Sequence, residues 1–578
     1  MDPNLKLIVK GDPREELQLL LRLKHPDIYP KHCIVISQFH DIISCRILRK
    51  NLLSIYDDPA TRSVKAPQVI PAQFYENSVD STSIIKREKS NYSVSQKSKV
   101  VFGIIDFGFD FTHSDFLNHT NKTRFEKIWV QPSKQKNDSK YGYGRIYTEE
   151  EINVALYTTA PFKTLGYHPG KNDFMGRGMH GTHVLGIAAS SGNLGEKSLA
   201  GNSPIIAVDM GSSYVNGSDL SLGDSVKLIE GIDFILQQAG QRPCVINLSL
   251  GGHCSDHTGN TLVEIALNNV LKKRGGTAII QSTGNYFMAN CHHAGIIEQD
   301  GIKEIEWLFN TIDKSPNEIE IWYENQDRIG VEILDTDGEV LGTSEPFKDS
   351  IVNYDGVQNG IIFHRYKEPN STKNHINIIL SKRPDSRVLI VRLKGIEITN
   401  GEYHAYIERD DIGQSRFATQ DVNTNFTVGS ICNAPLTIAV GAYNQEDFLK
   451  APMSFSSAGP TIDRRKKPEV LAPGNKIMAA KSASKFERKS KNQLTAKSGS
   501  SMASPYIASL AVKILEEFPK MNIYELRHLL FSSCEPLKPM NESTINKSGY
   551  GVINAQKLNE LITQKKIQYE NRNTTYIS

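Results

Sequence analysis

Three glycine-flanked stretches carry the residue types that nucleophilic catalysis requires. Ser501 lies in a small-residue turn at 499–505, directly before a helical run that extends to Phe518. The start of a helix leaves backbone N–H groups free, and these can stabilise a developing negative charge. A serine nucleophile needs a base, and the base needs an orienting acid. His180, in a glycine-rich helical pattern, and Asp106, at the end of the apolar run 100–105, could supply them.

Simpler explanations exist for the acid and the histidine. Asp106, taken alone, is better explained as a turn residue. His180 and His183 lie one helical turn apart, as two metal ligands would, but no glutamate stands between them and no third ligand is evident. Close packing against a neighbouring element explains the glycines better. It predicts that one of the two histidines is exposed at the helix start.

The serine turn also allows two interpretations. Its hydroxyl is expected to face outward, while Ala503, Ile507 and Leu510 pack inward. The letters Gly-Ser-Ser-Met-Ala fall one residue short of the G-x-S-x-G of α/β-hydrolases, but those enzymes place the acid and the histidine after the serine. Only His528 follows Ser501 here, inside an apolar helix, so that alternative is set aside.

Length, charge and cysteine content restrict the class of protein. A chain of 578 residues predicts two to four domains. A net charge of +3 over this length does not indicate binding to nucleic acid or to an anionic membrane. No apolar run is long enough to cross a bilayer. The start Met-Asp-Pro-Asn-Leu-Lys shows no secretory signal, and seven scattered cysteines without metal-type spacing indicate reduced thiols. These features predict a cytoplasmic or otherwise intracellular protein.

The first 98 residues are predicted to form a separate small α+β domain that ends in a linker. The expected order is βαββαβ, a split βαβ sandwich. Its elements are a strand at 5–9, a helix at 12–24, strands at 33–37 and 42–48, a short helix at 50–56 and a strand near Val64. The polar stretch 81–99 is interpreted as the linker.

The remaining chain predicts an α/β fold with a second domain inserted into it. Strands and helices alternate over 99–287 and again over 419–565, which indicates a doubly wound, mostly parallel sheet. Over 288–418 the pattern changes to short alternating strands, with a hairpin signal at Asp337–Gly338. This stretch is predicted to be an inserted β-sandwich or jelly roll. Residues 566–578 are predicted to be a frayed polar tail.

The motifs at the strand ends resemble those of the subtilisin-like serine peptidases, the subtilases. The chain order is Asp…His…Ser, and the matching stretches cover the α/β portion while leaving the N-terminal domain and the insert outside. These stretches are 104–108, 180–184, 247–252, 283–285, 472–474, 499–505 and 549–551.

The resemblance implies a role for each matched residue. Ser501 would be the nucleophile, His180 the base and Asp106 the group that orients it. Asn285 would donate to the oxyanion together with the Ser501 backbone N–H. The residues expected to line the first specificity pocket and to pair with an extended peptide substrate are Ser249, Leu250, Gly251, Ser282, Thr283 and Gly284. The alternative is an inactive or latent subtilase-fold protein that serves binding or scaffolding.

The resemblance also implies a role for the N-terminal domain. Its predicted element order is that of subtilase propeptides, which act as chaperone and inhibitor until they are cut. Self-cleavage is expected between 85 and 99, with 91–97 the favoured span. The alternative is a permanently attached accessory domain. A subtilase with a β-rich insert between Asn285 and Ser501 resembles the Csp-type germination proteases of spore formers, which process a cortex-lytic proenzyme. That resemblance implies a spore-associated location.

No cofactor is expected for peptide hydrolysis, and calcium is a weak candidate ligand. Many subtilases bind calcium near the positions of Asp115 and Asn193, but a solvated turn is an equally good explanation of the loop 192–196. The basic residues between Lys481 and Lys491 are interpreted as an exposed loop, the alternative being a preference for acidic substrates. The insert is either a recognition module or a stabilising one.

Overall fold

The computed structural model describes residues 1–68, 70, 98–135, 139–173, 175–211, 224–310, 316–354, 356–381, 387–408, 415–538 and 541–575. Most of the linker, including the favoured cleavage span 91–97, lies outside these residues. Three large hydrophobic cores organise the rest: one in the α/β sheet, one in the insert and one in the N-terminal domain. Within the described ranges, no helix is long and apolar enough to cross a membrane.

The N-terminal domain is a four-stranded antiparallel sheet with order β2-β3-β1-β4. Its elements are α1 (Pro3–Ile8), β1 (Glu16–Leu23), β2 (Ile34–Phe39), β3 (Ile42–Leu48), α2 (Leu52–Tyr56) and β4 (Thr61–Lys65). The α+β class agrees with the prediction, but the order βαββαβ is wrong. The stretch predicted as the first strand is α1, and the stretch predicted as the first helix is β1.

The leucines of β1 explain the error. Leu17, Leu19, Leu21 and Leu23 alternate and lie in the core of the N-terminal domain, while Leu20 on the other face packs into the core of the α/β sheet. A strand that is buried on both faces has an almost continuous run of apolar residues, here mostly leucines. Such a run cannot be distinguished from a buried helix by periodicity alone. The supposed helix cap is a turn, in which the Asp12 carboxylate accepts from the Arg14 backbone N–H at 2.9 Å.

The first half of the α/β domain alternates strands and helices as predicted. The full set is β5 (Val101–Asp106), β6 (Phe125–Val130), β7 (Arg145–Thr148), α3 (Glu149–Leu156), α4 (Pro161–Leu165), α5 (His180–Ala189), β8 (Ile205–Asp209), α6 (Ser225–Ala239), β9 (Cys244–Leu248), α7 (Leu262–Lys273) and β10 (Thr277–Ser282).

The insert contains two antiparallel sheets that share one hydrophobic core. The predicted hairpin turn at Asp337–Gly338 connects β14 to β15. The finer jelly-roll topology remains a prediction. The strands are β11 (His292–Ile296), β12 (Ile302–Leu308), β13 (Asn317–Tyr323), β14 (Arg328–Leu334), β15 (Val340–Ser344), β16 (Ser350–Tyr354), β17 (Val357–Arg365), β18 (Asn374–Leu380), β19 (Val388–Glu397), β20 (Glu402–Ile407) and β21 (Arg416–Phe417).

The second half of the α/β domain completes a ten-stranded sheet with order β26-β27-β23-β22-β10-β9-β5-β8-β6-β7. Pairing is parallel from β6 to β27 and antiparallel at both edges, so the predicted doubly wound sheet is confirmed. The elements are β22 (Ile438–Tyr443), β23 (Val470–Pro473), β24 (Ile477–Lys481), β25 (Gln493–Lys497), α8 (Ser500–Glu517), α9 (Ile523–Ser532), β26 (Cys534–Glu535), α10 (Glu542–Ser548), β27 (Val552–Ile553) and α11 (Ala555–Thr575).

The C-terminal segment differs from its prediction. The sequence predicts a frayed tail at 566–578, but α11 continues to Thr575. Two cross-helix ion pairs tie it to the domain: Lys565 to Glu525 on α9 at 3.6 Å, and Lys566 to Glu517 on α8 at 2.6 Å.

The N-terminal sheet packs against α6 and α7 of the α/β domain. At the centre of this interface the Arg46 guanidinium makes a two-pronged contact with the Glu230 carboxylate on α6, at 2.7 and 2.9 Å. The Ser44 hydroxyl donates to the same carboxylate at 2.8 Å. A buried charge pair is tolerated only with such complete hydrogen bonding, so this pair fixes the register of the two domains.

Candidate active site

The structure brings Asp106 and His180 into direct contact. Asp106 ends β5, and one of its carboxylate oxygens accepts from His180 Nδ1 at 2.7 Å and from the Phe107 backbone N–H at 2.7 Å. Both side chains are buried. A histidine that donates through Nδ1 presents Nε2 as the basic atom, which is the tautomer that a general base requires.

The glycine after His180 permits this contact. A Cβ on Gly181 would lie 3.0 Å from the Phe107 carbonyl oxygen and 3.1 Å from Asp106 Cβ, so a larger residue would push α5 away from the end of β5. The Gly181 N–H instead donates to that carbonyl at 2.9 Å. The prediction that the glycines serve close packing is confirmed.

His183 faces away from the acid. Its Nε2 lies 3.0 Å from the carbonyl oxygens of Ile477 and Thr495, on the β24–β25 hairpin, and burial lowers its pKa well below the usual value. In the part of the chain that the structure describes, no group of three or more His, Cys, Asp or Glu could hold a metal ion. His183 is thus bound to backbone carbonyls of the hairpin, whereas His180 is bound to Asp106.

Ser501 is the second residue of α8, and its backbone is held by an unusual bond. The helical partner of the Ser501 carbonyl would be the N–H of residue 505, which is a proline and has none. The Ser249 hydroxyl donates to that carbonyl instead, at 3.1 Å. Asn247 and Ser504 complete the network, so the end of β9 is bonded directly to the serine turn.

Two donors border one small space beside the serine. Asn285 accepts from the backbone N–H and the hydroxyl of Ser500 through its Oδ1, at 3.0 and 3.1 Å, which directs its Nδ2 to the other side. Nδ2 is buried and has no hydrogen-bond partner among the described residues. A Cβ on Gly499 would lie 3.6 Å from Asn285 Nδ2 and 3.7 Å from the Ser501 nitrogen. This arrangement suits an oxyanion.

The site is closed. Ser501 is 0% exposed and His180 is 2% exposed, so the expectations of an outward hydroxyl and an exposed histidine are wrong. The sequence argument placed both at helix starts, where side chains are often accessible, but it could not include what packs over them. Ala503, Ile507 and Leu510 are buried as expected.

The predicted pocket segments flank the serine turn, and one of them is already paired. The Thr283 N–H donates to Val440 at 3.0 Å, the Thr283 carbonyl accepts from Gly429 at 2.9 Å, and the Gly284 N–H donates to the Ser500 hydroxyl at 3.1 Å. Residues 282–284 can therefore form a wall, but Thr283 could pair with a substrate only by breaking these bonds. Ser249, Leu250 and Gly251 follow β9, all three buried.

Sequence reasoning missed a second buried carboxylate beside the acid. Asp209 ends β8 and lies opposite Asp106 in the parallel register. It accepts from the backbone N–H groups of Gly108 and Gly211 and from the Tyr167 hydroxyl, and burial raises its pKa. The sequence held a signal for this residue, since Asp209 ends an apolar strand as Asp106 does. Through its bond to the Gly108 N–H, Asp209 positions the turn after β5.

The calcium candidates form direct contacts with the protein. Asp115 accepts from the Leu194 N–H at 2.9 Å, and Asn193 donates to the Ser114 carbonyl at 2.7 Å. Nearby, the buried Arg124 guanidinium donates to the carbonyls of Ala189, Ala200 and Ser203, at 2.6 to 3.0 Å. Burial lowers the pKa of Arg124 to about 9. The Arg124 guanidinium thus links the backbone at Ala189 to the backbone at Ala200 and Ser203, on the two sides of the loop 192–196.

The basic stretch lies on the connection between β24 and β25, as the loop interpretation expected. Lys491 pairs with Glu487 at 2.6 Å on a largely exposed surface. Such a pair is worth little and gives no evidence for a substrate site.

The helix α5, which carries His180, packs against α8, which begins with the serine turn, and Asp106 bonds to His180 from the end of β5. The Subtilase family model matches residues 97–298 and 371–555. The chain therefore belongs to the subtilase family, as its motifs predicted.

Known structures and sequences agree with this assignment. The fold resembles the Clostridium perfringens CspB protease with a TM-score of 0.68 and 21% identity, over 81% of this chain and 95% of that one. Serine protease AprX of Bacillus subtilis (strain 168) is 31% identical over 140 residues, covering 22% of this chain and 31% of AprX. Subtilisin-like protease PopC of Myxococcus xanthus (strain DK1622) is 33% identical over 128 residues, covering 22% and 24%. The aligned parts span less than a third of either relative.

Proposed function

We propose that this chain is a serine endopeptidase whose catalytic residues are Asp106, His180 and Ser501. The observation that carries the proposal is the buried Asn285 Nδ2, which borders the same small space as the Ser501 backbone nitrogen. A buried amide donor left without a partner is costly, and a tetrahedral oxyanion would satisfy it. The Asp106–His180 contact supplies the oriented base.

The geometry supports acyl transfer in two steps. Ser501 Oγ attacks the peptide carbonyl while His180 Nε2 takes its proton, and Asp106 stabilises the imidazolium. Asn285 Nδ2 and the Ser501 N–H stabilise the oxyanion, assisted by the start of α8. His180 then gives the proton to the leaving amine. A water molecule, activated by the same histidine, hydrolyses the acyl-enzyme.

We propose further that the full chain is a latent zymogen. The burial of Ser501 and His180 supports latency, because a peptide cannot reach a serine that has no exposed surface. The N-terminal domain, docked on α6 and α7, would be the inhibitor, with self-cleavage between 85 and 99. The likeness to the CspB protease shows only the fold, and on that basis we propose an intracellular, spore-associated role in processing a proenzyme.

The test combines an active-site probe with intact mass. A fluorophosphonate should add once to the wild-type chain and not to Ser501→Ala, and wild type alone should release a fragment of about 90 residues. Asn285→Ala should label and cleave about 10²–10³-fold more slowly. A wild-type chain that stays intact is then nicked with trace trypsin at the lysine-rich linker. Labelling after nicking would support latency, whereas continued absence of an adduct would indicate a binding protein.

A further inference from the structure

Tyr286, the residue after the proposed oxyanion donor, bridges the two stretches expected to form the first specificity pocket. Its hydroxyl donates to the Gly251 carbonyl oxygen at 3.0 Å, on the stretch 249–251. On the stretch 282–284, a Cβ added to Gly284 would lie 2.7 Å from two carbon atoms of the tyrosine ring. The ring therefore occupies the space between the two stretches.

This space lies beside the proposed nucleophile. The Gly284 N–H donates to the Ser500 hydroxyl at 3.1 Å, and Asn285 accepts from the Ser500 backbone N–H at 3.0 Å. Ser500 directly precedes Ser501. When a peptide carbonyl lies on a catalytic serine, the side chain before the cleaved bond, called P1, enters the first specificity pocket. Tyr286 is thus placed to meet the P1 side chain.

Several contacts hold Tyr286 in this position. Its backbone N–H donates to the Ser457 hydroxyl at 2.9 Å, and the Ser457 N–H donates to the Gly284 carbonyl at 3.1 Å. The ring centroid lies 4.6 Å from that of the His253 imidazole. The side chain is 2% exposed and belongs to the hydrophobic core of the insert. The ring cannot move aside without breaking these contacts.

The insert also fixes the opposite stretch. Glu408, directly after β20, accepts from the backbone N–H groups of His253 and Cys254 at 2.8 and 3.0 Å. A Cβ on Gly252 would lie 2.6 Å from Glu408 Oε1, so the carboxylate packs closely against the chain that follows Gly251. The insert therefore supports both sides of the pocket, and neither side can withdraw to admit a large side chain.

We infer that Tyr286 is a specificity-determining residue that fills the first pocket, so that only a small P1 side chain fits. This inference rests on the proposed function and names its substrate class: peptides that are cut after glycine, alanine or serine. A larger P1 side chain would overpack the space that the ring already occupies. The insert would then control specificity without contributing a catalytic residue.

The experiment compares two fluorogenic tetrapeptides that differ only in alanine or phenylalanine at P1. The full chain is nicked at the linker with trace trypsin, and its active sites are counted with the fluorophosphonate probe. Trypsin prefers a basic P1 residue, so neither peptide reports residual trypsin. The Ser501→Ala chain, treated in the same way, gives the blank. We expect wild type to show a kcat/KM at least about 100-fold higher for alanine than for phenylalanine.

Three variants of Tyr286 test the role of the ring. Tyr286→Ala empties the pocket and should lower the alanine-to-phenylalanine ratio at least about tenfold. Tyr286→Phe keeps the ring and should leave the ratio within about threefold of wild type. If Tyr286→Ala melts early, Tyr286→Leu replaces it, because leucine keeps apolar volume in the core but does not reach Gly251. It should lower the ratio in the same direction.

The matched control is Tyr354→Ala, which removes another buried tyrosine from the same core. Tyr354 is 7% exposed and lies on β16, at the opposite edge of the sheet from β11, the strand that follows Tyr286. This variant should keep the wild-type ratio. The same loss of selectivity in Tyr354→Ala and Tyr286→Ala would mean that a loosened insert, and not the filled pocket, sets the preference, and would overturn the inference.

Other outcomes separate this inference from the proposed function. A fluorophosphonate adduct with equal cleavage after alanine and phenylalanine would overturn the inference and leave the proposed function standing. An unchanged ratio in Tyr286→Ala and Tyr286→Leu, or a Tyr286→Phe as unselective as Tyr286→Ala, would also overturn it. No adduct on the nicked wild-type chain would overturn the proposed function, and the inference with it.

The site of self-cleavage gives a second readout. The favoured span 91–97 contains two small residues, Ser93 and Ser95, among larger ones that include Tyr92 and Gln96. A filled pocket predicts a cut after one of the two serines. The intact mass of the released fragment identifies the cut, and a cut after Tyr92 or Gln96 would contradict the inference.

Discussion

The catalytic centre and the junction cavity, the space of about 210 Å³ where the N-terminal domain, the α/β domain and the insert meet, both bury polar groups but hold them differently. At the catalytic centre, strand ends hold Asp106 and Asn285 through hydrogen bonds to His180 and Ser500, and Asp106 Oδ2 and Asn285 Nδ2 have no partner among the described residues. We propose that Asn285 Nδ2 donates to the oxyanion. In the junction cavity, carboxylates from three domains meet with two cations between them. A single sheet can preorganise a site, whereas a site at a domain junction exists only after the domains have assembled.

The largest expected effect tests the preorganised site. Asp106→Asn should reduce kcat about 10⁴-fold, because the amide would reverse the hydrogen bond to His180 Nδ1 and favour the wrong tautomer. Peptide hydrolysis after the linker of each variant has been nicked with trace trypsin measures it, with Asp337→Asn in the insert hairpin as a matched control. An Asp106→Asn enzyme within tenfold of wild type would mean that this pair does not orient a base.

The second prediction concerns the Arg46–Glu230 ion pair between the N-terminal domain and α6. Arg46→Met leaves the Glu230 carboxylate buried without its partner, so the free energy of unfolding should fall by about 3–5 kcal/mol. Urea denaturation measures it. The double variant Arg46→Met, Glu230→Leu should recover most of the loss, because it removes the uncompensated charge. A double variant as unstable as the single one would show that packing, not charge, is lost.

A smaller effect is expected at the loop that Arg124 ties together. Arg124→Met removes the donors of three buried carbonyls and should cost at least about 2 kcal/mol. Calorimetry with EDTA or with calcium chloride measures the stability of wild type and variant. We expect neither addition to shift the wild-type Tm. A shift of several degrees with calcium would instead support the weak calcium assignment of Asp115 and Asn193.

The smallest effect, taken per pH unit, is a pH dependence of stability that arises from Glu318. The pKa of Glu318 is about 8 in the folded chain and near 4.5 when unfolded, so the folded state binds more protons between these values. Stability should therefore fall as pH rises from about 5 to 8, by at most about 1.4 kcal/mol per unit. The neighbours that face Glu318 are Glu320, Glu408 and Asp2, with Lys65 and Arg365 beyond them.

The slope is measured by urea denaturation across this pH range. Glu318→Gln should flatten it, because it removes the titrating group. An unchanged slope in Glu318→Gln would assign the titration to another group.

The strand ends of the α/β domain were predictable because each carries a local signature. Asp106, His180, Asn285 and Ser501 stand beside glycines at element ends, and the structure brings the first two into contact. The N-terminal domain was predicted with the wrong order, because β1 is buried on both faces and Leu20 on the second face hides the alternation of Leu17, Leu19, Leu21 and Leu23. The periodicity of apolar residues identifies a strand or helix when one of its faces is buried. It cannot identify the element when both faces are buried.

The sequence by itself determined the family, the α/β sheet and the residues proposed for catalysis, since these depend on short motifs at strand ends. The tertiary structure decided the rest: that Ser501 and His180 are closed off, that the Ser249 hydroxyl substitutes for the missing N–H of Pro505, and that acidic residues from three domains face one cavity. The physical reason is distance along the chain. Burial and electrostatic fields sum over residues hundreds of positions apart, which no local pattern records.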